Sequence, residues 1–488
     1  MNRNKLTKRF LLLSAALTMA LSQSAFAGEA VALNLDDAML RAFQTNPTVS
    51  IAQYELDSAR ASYNAARQSR GISITASHTT QRGGADDDQY TNRLKGVDAT
   101  GNLIYDRVNA GKGIANKHSN GLTASLPIFT GGKLSGTIKQ AKANYQYNEV
   151  GVQRTYNEMR STVTDGYFNM LQADNIQKLS AESVTRLEDH LKNVQAQYDV
   201  GVVAKVDVLR SQVELANAKQ TLIQAENSYQ VAEANMNKIV GLPMDTNLKL
   251  DNLLVYNAYD KNMDDCLAYA AEHRPELMQA KYNVDAAKGA LMVARSGHMP
   301  QVAASATQQW YDSNWPGDEN GNWGVGVNVS MNVFDTGVTL SKIHGAEADL
   351  KKAEETYRNT VDSVNLDVRS NYLGLREAEK RISTTKLAVE QADEDYRIAQ
   401  LRYMSGVGTN TDVLDAQVAL TQAKTNYTKA LYDYNTSKTA LETSIGVPME
   451  NPVATVKAQA AKTAEAVKAT EEAAKTAEAA KATEEANK

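Results

Sequence analysis

Cysteine is almost missing from this chain. Cys266 is the single one among 488 residues, so no intramolecular disulfide can form, and it reads as a buried helix residue. Proline is scarce, with 8 residues, and phenylalanine scarcer, with 6. So few breakers and large aromatics argue against a thick globular core and for long helices with thin seams. Past the N-terminal segment there is no run of 18 apolar residues, which excludes a transmembrane helix on sequence grounds. A chain of this kind crosses a membrane only as a closed β-barrel. Strong net charge is absent too: a formal −5 is too mild to call for a nucleic-acid partner. His78, His118, His190, His273, His298 and His344 lack ligand spacing, and no phosphate loop, CxxC or nucleophile elbow occurs. No enzyme, cofactor, metal site or catalytic residue is predicted. The acidic run Asp86–Asp88 reads as a solvated loop rather than a calcium site.

What is present begins with Lys5, Lys8 and Arg9 ahead of an apolar run from Phe10 to Leu21, then Ala25-Phe26-Ala27. That order predicts a secretory signal peptide over residues 1–27, with Gly28 as the first mature residue. At the other end, residues 451–488 repeat KTAEAVKATEEAA as KTAEAAKATEEAN. This low-complexity Ala/Lys/Glu/Thr segment predicts a flexible or marginally helical tail.

Between them the chain is written twice. Phe129, Gly132, Gly201, Asp207 and Pro243 recur as Phe334, Gly337, Gly406, Asp412 and Pro448, each 205 positions on. Pro47, Tyr54 and Arg67 recur as Pro275, Tyr282 and Arg295, 228 positions on. The difference of 23 residues falls between Arg67 and Phe129, so two copies of one unit differ mainly in one loop. The first repeat is predicted over 28–243 and the second over 244–450.

Each repeat opens with a helical segment, 35–70 and 263–297. A strand pair follows, at about 71–129 in the first copy and 301–334 in the second. Trp323, Val325, Val327, Val329, Met331 and Val333 alternate with small or polar residues, a period of two. Loops at 82–118 and 313–322 join the pairs. Trp310, Trp315 and Trp323 flank the second loop, where a barrel carries its interfacial aromatics. A soluble hairpin with one buried face fits the same pattern.

The remainder of each repeat is a helical hairpin: 133–241 with its tip at 198–207, and 338–446 with its tip at 403–412. Val208, Leu215, Leu222, Tyr229 and Met236 recur every seven residues, with Ser211, Ala218, Ala225, Ala232 and Ile239 three further on. Such a heptad predicts antiparallel coiled-coil packing, and alternating large and small residues let the helices approach closely. The tips YDVGVVAKVDVLRSQ and YMSGVGTNTDVLDAQ are thus the same turn in two hairpins. Four strands per chain cannot close a transmembrane barrel, whose smallest size is about eight. If the strands are membrane strands the chain must oligomerise, and three copies supply twelve.

The duplicated unit, the openings AFQTNPTVSIAQ and AAEHRPELMQAK, the GLP and GVP hairpin ends and above all the paired tips resemble the TolC family of outer-membrane efflux and secretion ducts, over about residues 33–448. The resemblance implies a mainly α protein with a membrane β-barrel part. It implies a homotrimer in the outer-membrane lipid of a diderm bacterium, with a twelve-stranded barrel continued by an α-helical tunnel through the periplasm. Such a duct carries no chemistry of its own. It opens when a periplasmic membrane-fusion adaptor, tied to an inner-membrane pump of ABC, RND or MFS type, docks on the tips.

The resemblance also assigns roles. Asp412 and Asp415 match the aspartates that ring the periplasmic constriction, where crowded like charges are expected to raise their pKa values. Tyr403 and Asp207 match a gate tyrosine and its hydrogen-bond partner. Val200, Gly201, Val202, Gly406 and Val407 match the adaptor-docking tips, and Trp310 and Trp323 the membrane interface. Two departures stand out: Gly408 replaces an arginine of the gate, and Val206 the threonine that it contacts. Lys205 is the candidate to substitute for that arginine. The rival class is an exported coiled-coil protein tethering the outer membrane to the cell wall.

Overall fold

The computed structural model describes residues 30–84, 89–111, 114–251 and 256–447. The signal peptide, Asp86–Asp88, Pro448 and the tail lie outside the described residues. In chain order the elements are β1 (Val31–Leu33), α1 (Leu35–Thr45), α2 (Pro47–Gln68), β2 (Ser73–Gly84), β3 (Gln89–Val97), β4 (Leu103–Gly111), β5 (Ile114–Phe129), α3 (Lys133–Asp199) and α4 (Lys205–Val240). Then come β6 (Leu248–Leu250), α5 (Met263–His273), α6 (Pro275–Arg295), β7 (Gln301–Asp312), β8 (Asn320–Ser330), α7 (Val338–Met404) and α8 (Asn410–Ser444). The fold is mainly α and internally duplicated. The long arms α3 and α7 have 67 residues each, about 100 Å of helix.

Duplication extends to the caps. Asn34 accepts the Asp37 N–H at 2.7 Å, and Asn262, 228 positions on, accepts the Asp265 N–H at 2.7 Å. The opening segment of each repeat was expected to be one helix, but it is two. Asn46 before Pro47 and Arg274 before Pro275 are extended, with ψ 126° and 120°. A residue ahead of proline is driven out of the helical region, so each segment bends there.

The chain divides into two compact units. One comprises the described residues within 30–53, 151–275 and 361–447. Its core gathers Ala38, Ala42 and Phe43 of α1 against Val163, Tyr167 and Met170 of α3 and Met236 and Val240 of α4. The Tyr167 hydroxyl donates to the Asp251 carbonyl at 2.9 Å, with the Leu33 carbonyl at 3.3 Å. It thereby holds the ends of the short parallel pair β1–β6, which nothing in the sequence pattern announced. Nearby, Arg160 of α3 forms a part-buried ion pair with Glu442 of α8 at 3.2 Å.

The other unit comprises 54–150 and 276–360. It holds an antiparallel sheet in the order β2-β5-β7-β8. The helices α3 and α6 cross there with their backbones touching: a Cβ on Gly136 would lie 2.7 Å from the Gly289 carbonyl. The expected loop at 82–118 is only partly a loop. Strands β2 and β5 run on to Gly84 and from Ile114, and β3 and β4 pair as a separate hairpin. Its turn is made by Asp98, whose carboxylate accepts the N–H groups of Thr100 and Asn102 at 2.8 Å each.

Candidate functional site

Two features of the fold are unusual for a self-contained protein: the sheet face and the hairpin tips. The register puts Ile74, Ala124, Ala306 and Val325 side by side across the four strands, and then Ala304 beside Leu126 and Val327. These residues share one face, with Ile72, Leu122, Ile128 and Val329. The opposite face is Ser73, Thr75, Ser77, Thr123, Ser125, Ser305, Thr307, Gly326 and Asn328. Ile72, Ile74, Leu122, Val325, Val327 and Val329 are all exposed. An apolar sheet face open along its length marks an interaction surface, and one-face alternation is the pattern of a membrane barrel wall. Trp310 and Trp323 lie on that apolar face toward the loop end, and Trp315 sits in the loop itself.

Each tip turn is a helix end closed by a left-handed glycine. Gly201 and Gly406 have φ of +79° and +73°. The Val202 N–H reaches back to the Gln197 carbonyl at 2.8 Å, and the Val407 N–H to the Arg402 carbonyl at 3.0 Å. This satisfies carbonyls that the helix end would leave orphaned. Val200, Val202 and Val407 stand exposed at the turns. Gly408 has a local reason: its N–H bonds Arg402, and a Cβ there would lie 3.0 Å from the Tyr403 nitrogen. Lys205 is exposed and forms no ion pair among the described residues.

Asp412 and Asp415 are both exposed and three apart on α8. With Asp395 and Arg402 of α7 they line a shallow groove. Asp412 also belongs to a capping box. Its N–H donates to the Thr409 hydroxyl at 3.2 Å, while its carboxylate accepts the Thr409 N–H at 2.9 Å. The Thr409 backbone N–H first, and the Thr409 hydroxyl second, lower the Asp412 pKa below its ordinary value, with Arg402 a smaller contributor. The direction in the protomer is therefore opposite to the rise expected from crowded carboxylates, because the cap's donors stabilise the anion.

Tyr403 is buried among Val194, Val208, Ala399, Val413 and Ala416. Its hydroxyl has no hydrogen-bond partner among the described residues, so the expected bond to Asp207 is not formed in the protomer. Burial, and then the Asp207 charge, raise the Tyr403 pKa. The bonds between the hairpins are made by other residues. His190 of α3 contacts the Asn410 amide oxygen at 2.6 Å, and the Asn410 amide nitrogen donates to the Asp207 carbonyl at 3.0 Å. Arg210 donates to the Thr411 hydroxyl at 2.8 Å. Sequence reading missed these: His190 looked isolated, and its partner lies 220 positions away.

An uncovered apolar sheet, together with coiled hairpins that end in glycine turns and paired carboxylates, makes the parts of a transmembrane channel. A family model described as "Outer membrane efflux protein" matches residues 39–242 and 267–447. The chain belongs to this family and is an outer-membrane efflux channel of TolC type. The outer membrane protein TolC of Escherichia coli is 24% identical over 348 residues, covering 67% of this chain and 70% of its own. TolC of Vibrio cholerae is 26% identical over 311 residues, covering 61% and 69%. The solvent efflux pump outer membrane protein SrpC of Pseudomonas putida is 21% identical over 420 residues, covering 84% and 85%. Among solved structures, the CmeC outer membrane channel of Campylobacter jejuni aligns with a TM-score of 0.73 at 16% identity, covering 87% of this chain and 88% of its own. VceC of Vibrio cholerae aligns at 0.71 and 17% identity, covering 84% and 96%. At these identities the structural likeness speaks for the fold.

Proposed function

We propose that three copies of this chain form the exit duct of a tripartite efflux pump or type I secretion system. The observation that carries the reading is the four-stranded sheet with its apolar face exposed and β2 and β8 as open edges. Open edges are not tolerated in lipid, so the sheet needs further strands, and three sheets supply a twelve-stranded barrel. A second feature favours the same assembly. Leu366, Leu373, Leu387 and Leu401 are exposed on α7 at heptad spacing, a seam that a neighbouring copy would cover. A tether of outer membrane to cell wall has no use for the apolar sheet.

In this reading the duct is passive, and energy comes from an inner-membrane pump through a periplasmic adaptor. The adaptor docks on the exposed Val200, Val202 and Val407 around Gly201 and Gly406. Asp412 and Asp415 of three copies line the constriction as six carboxylates, which favours cations. Trp310 and Trp323 sit at the lipid interface. Tyr403 and Asp207 belong to the gate, Tyr403 through packing and Asp207 through its backbone carbonyl.

The test is conductance in planar bilayers. Purified protein should run as heat-resistant trimers and form cation-selective single channels. The double variant Asp412→Asn with Asp415→Asn should lose most of that selectivity and the block by multivalent cations. Unaltered selectivity would remove both residues from the constriction, and a pore-free monomer would end the duct reading.

A further inference from the structure

One amphipathic surface of the protomer lies apart from both the four-stranded sheet and the helical tips. It is the β3–β4 hairpin, which falls where the first repeat is longer than the second. Leu94 stands opposite Tyr105, and Val97 opposite Leu103. Leu103 and Tyr105 are two apart on one strand, so all four residues share a face, and the register shift between Leu94 and Gly96 keeps Val97 on it. Each of the four is more than half exposed. The opposite face carries Arg93 and Asp106 alongside Ile104, and Lys95 pairs with Asp106 at 3.2 Å. Asp98 holds the turn through Thr100 and Asn102, so the apolar face is preformed. Among the described residues no third strand pairs with β3 or β4. A two-stranded hairpin with an apolar face open to water is marginal by itself, and needs more strands or a packing partner.

On the duct reading given above, we propose that the apolar faces of three β3–β4 hairpins pack together on the threefold axis, as a collar that narrows the outer mouth. The partner is thus a second copy of this chain, and reach decides it. Lipid is too far away. On the face of β2 and β5 that meets lipid in the duct, the apolar run ends at Ala76 and Leu122. Beyond them the same face reads His78, Thr80 and Arg82 on β2, and Asn120, His118 and Asn116 on β5. From Ala76 to the end of β2 at Gly84 is eight residues (84 − 76), which is about 27 Å of strand. The axis, in contrast, is close. Twelve strands about 4.8 Å apart and tilted about 40° make a barrel of about 12 Å radius. The nine residues of β3 span about 30 Å, enough to reach the axis from any rim strand. Three copies joined below bring their hairpins to one height. The contact then forms at high effective concentration and needs less area than free partners would. Arg93, Lys95 and Asp106, on the other side, stay in water.

The experiment uses introduced thiols. Cys266 is the only cysteine and is buried, so one added cysteine reports on its own surroundings. Leu94→Cys and Arg93→Cys are neighbours on opposite faces of β3. Under mild oxidation of the purified trimer, Leu94→Cys should give covalent dimers and Arg93→Cys none. Thr123→Cys, on the polar face of β5, lines the lumen in the duct. A polymer-bearing maleimide added outside intact cells should label it slowly. Adding Leu103→Asp with Tyr105→Asp should speed that labelling about tenfold or more, since burial of one leucine alone is worth that factor. Trimers that give no Leu94→Cys dimers, or equal dimers from both variants, overturn the collar and leave the duct. So does Thr123→Cys labelling that the two aspartates leave unchanged. Leu94→Cys that reacts instead with a thiol reagent dissolved in lipid places the face on the membrane, and overturns the collar too. Protein that forms no trimer overturns the duct, and the collar falls with it.

Discussion

Asp412 has a structural role in its helix cap and, in the proposed duct, a second role at the constriction. Its carboxylate closes the N-terminus of α8 onto Thr409 and still lies exposed beside Asp415. Thr409→Ala removes the hydroxyl half of the cap, which costs about 1 kcal/mol of helix stability. It should also let the Asp412 pKa rise part of the way toward its ordinary 3.8, because the hydroxyl's share of the anion's stabilisation is lost while the larger share from the residue-409 backbone N–H stays. Carboxyl-resolved NMR titration of the detergent-solubilised protein checks this. With the cap intact, the contribution of Asp412 to stability is present above that value and fades as the pH falls through the lowered one. A titration unmoved by Thr409→Ala would mean that the hydroxyl adds nothing to the backbone N–H in holding this carboxylate. The paired aspartates were singled out through the resemblance of the tip, and their spacing of three on a helix start puts them on one side of α8. The His190–Asn410 bond was not, because hydrogen bonds across 220 positions leave no periodic trace.

At the level of elements, the strands carry the sharpest consequence. Val327 and Asn328 are neighbours in β8 that point to opposite faces of the sheet. If the apolar face meets lipid, Val327→Arg costs about 2–4 kcal/mol near the bilayer middle. Asn328→Arg on the other face should be tolerated. The yield of heat-resistant trimer in outer-membrane extracts separates them, and equal yields would argue that the apolar face does not meet lipid. Alternation made β8 and β5 readable, as heptads did for α4 and α8. The hairpin β3–β4 went unread because Gly83-Gly84 and the acidic run beside it look like loop. The breaks at Pro47 and Pro275 were there to be read: the residue before a proline resists the helical region, and only the surrounding periodicity argued for continuity.

For the whole molecule, the decisive feature is surface left without a partner. The leucines of α7 at heptad spacing are exposed in the protomer, and so is the sheet. Burying one leucine contributes about 1.5–3 kcal/mol, so a seam of several can hold a neighbouring copy. Leu373→Glu combined with Leu387→Glu should shift the detergent-solubilised protein from trimer toward monomer, as read by light scattering. A trimer that survives both charges would mean that this stripe faces something other than a second copy.

The sequence by itself determined the duplicated architecture, the long hairpins, the tip turns and the apolar strand face. All of these follow from local periodicity and from the backbone demands of glycine and proline. Only the tertiary structure decided which side chains bind one hairpin to the other, and that the Tyr403 hydroxyl packs without a hydrogen-bond partner among the described residues. Those outcomes depend on burial and on distances between residues far apart in the chain, and no local pattern encodes them.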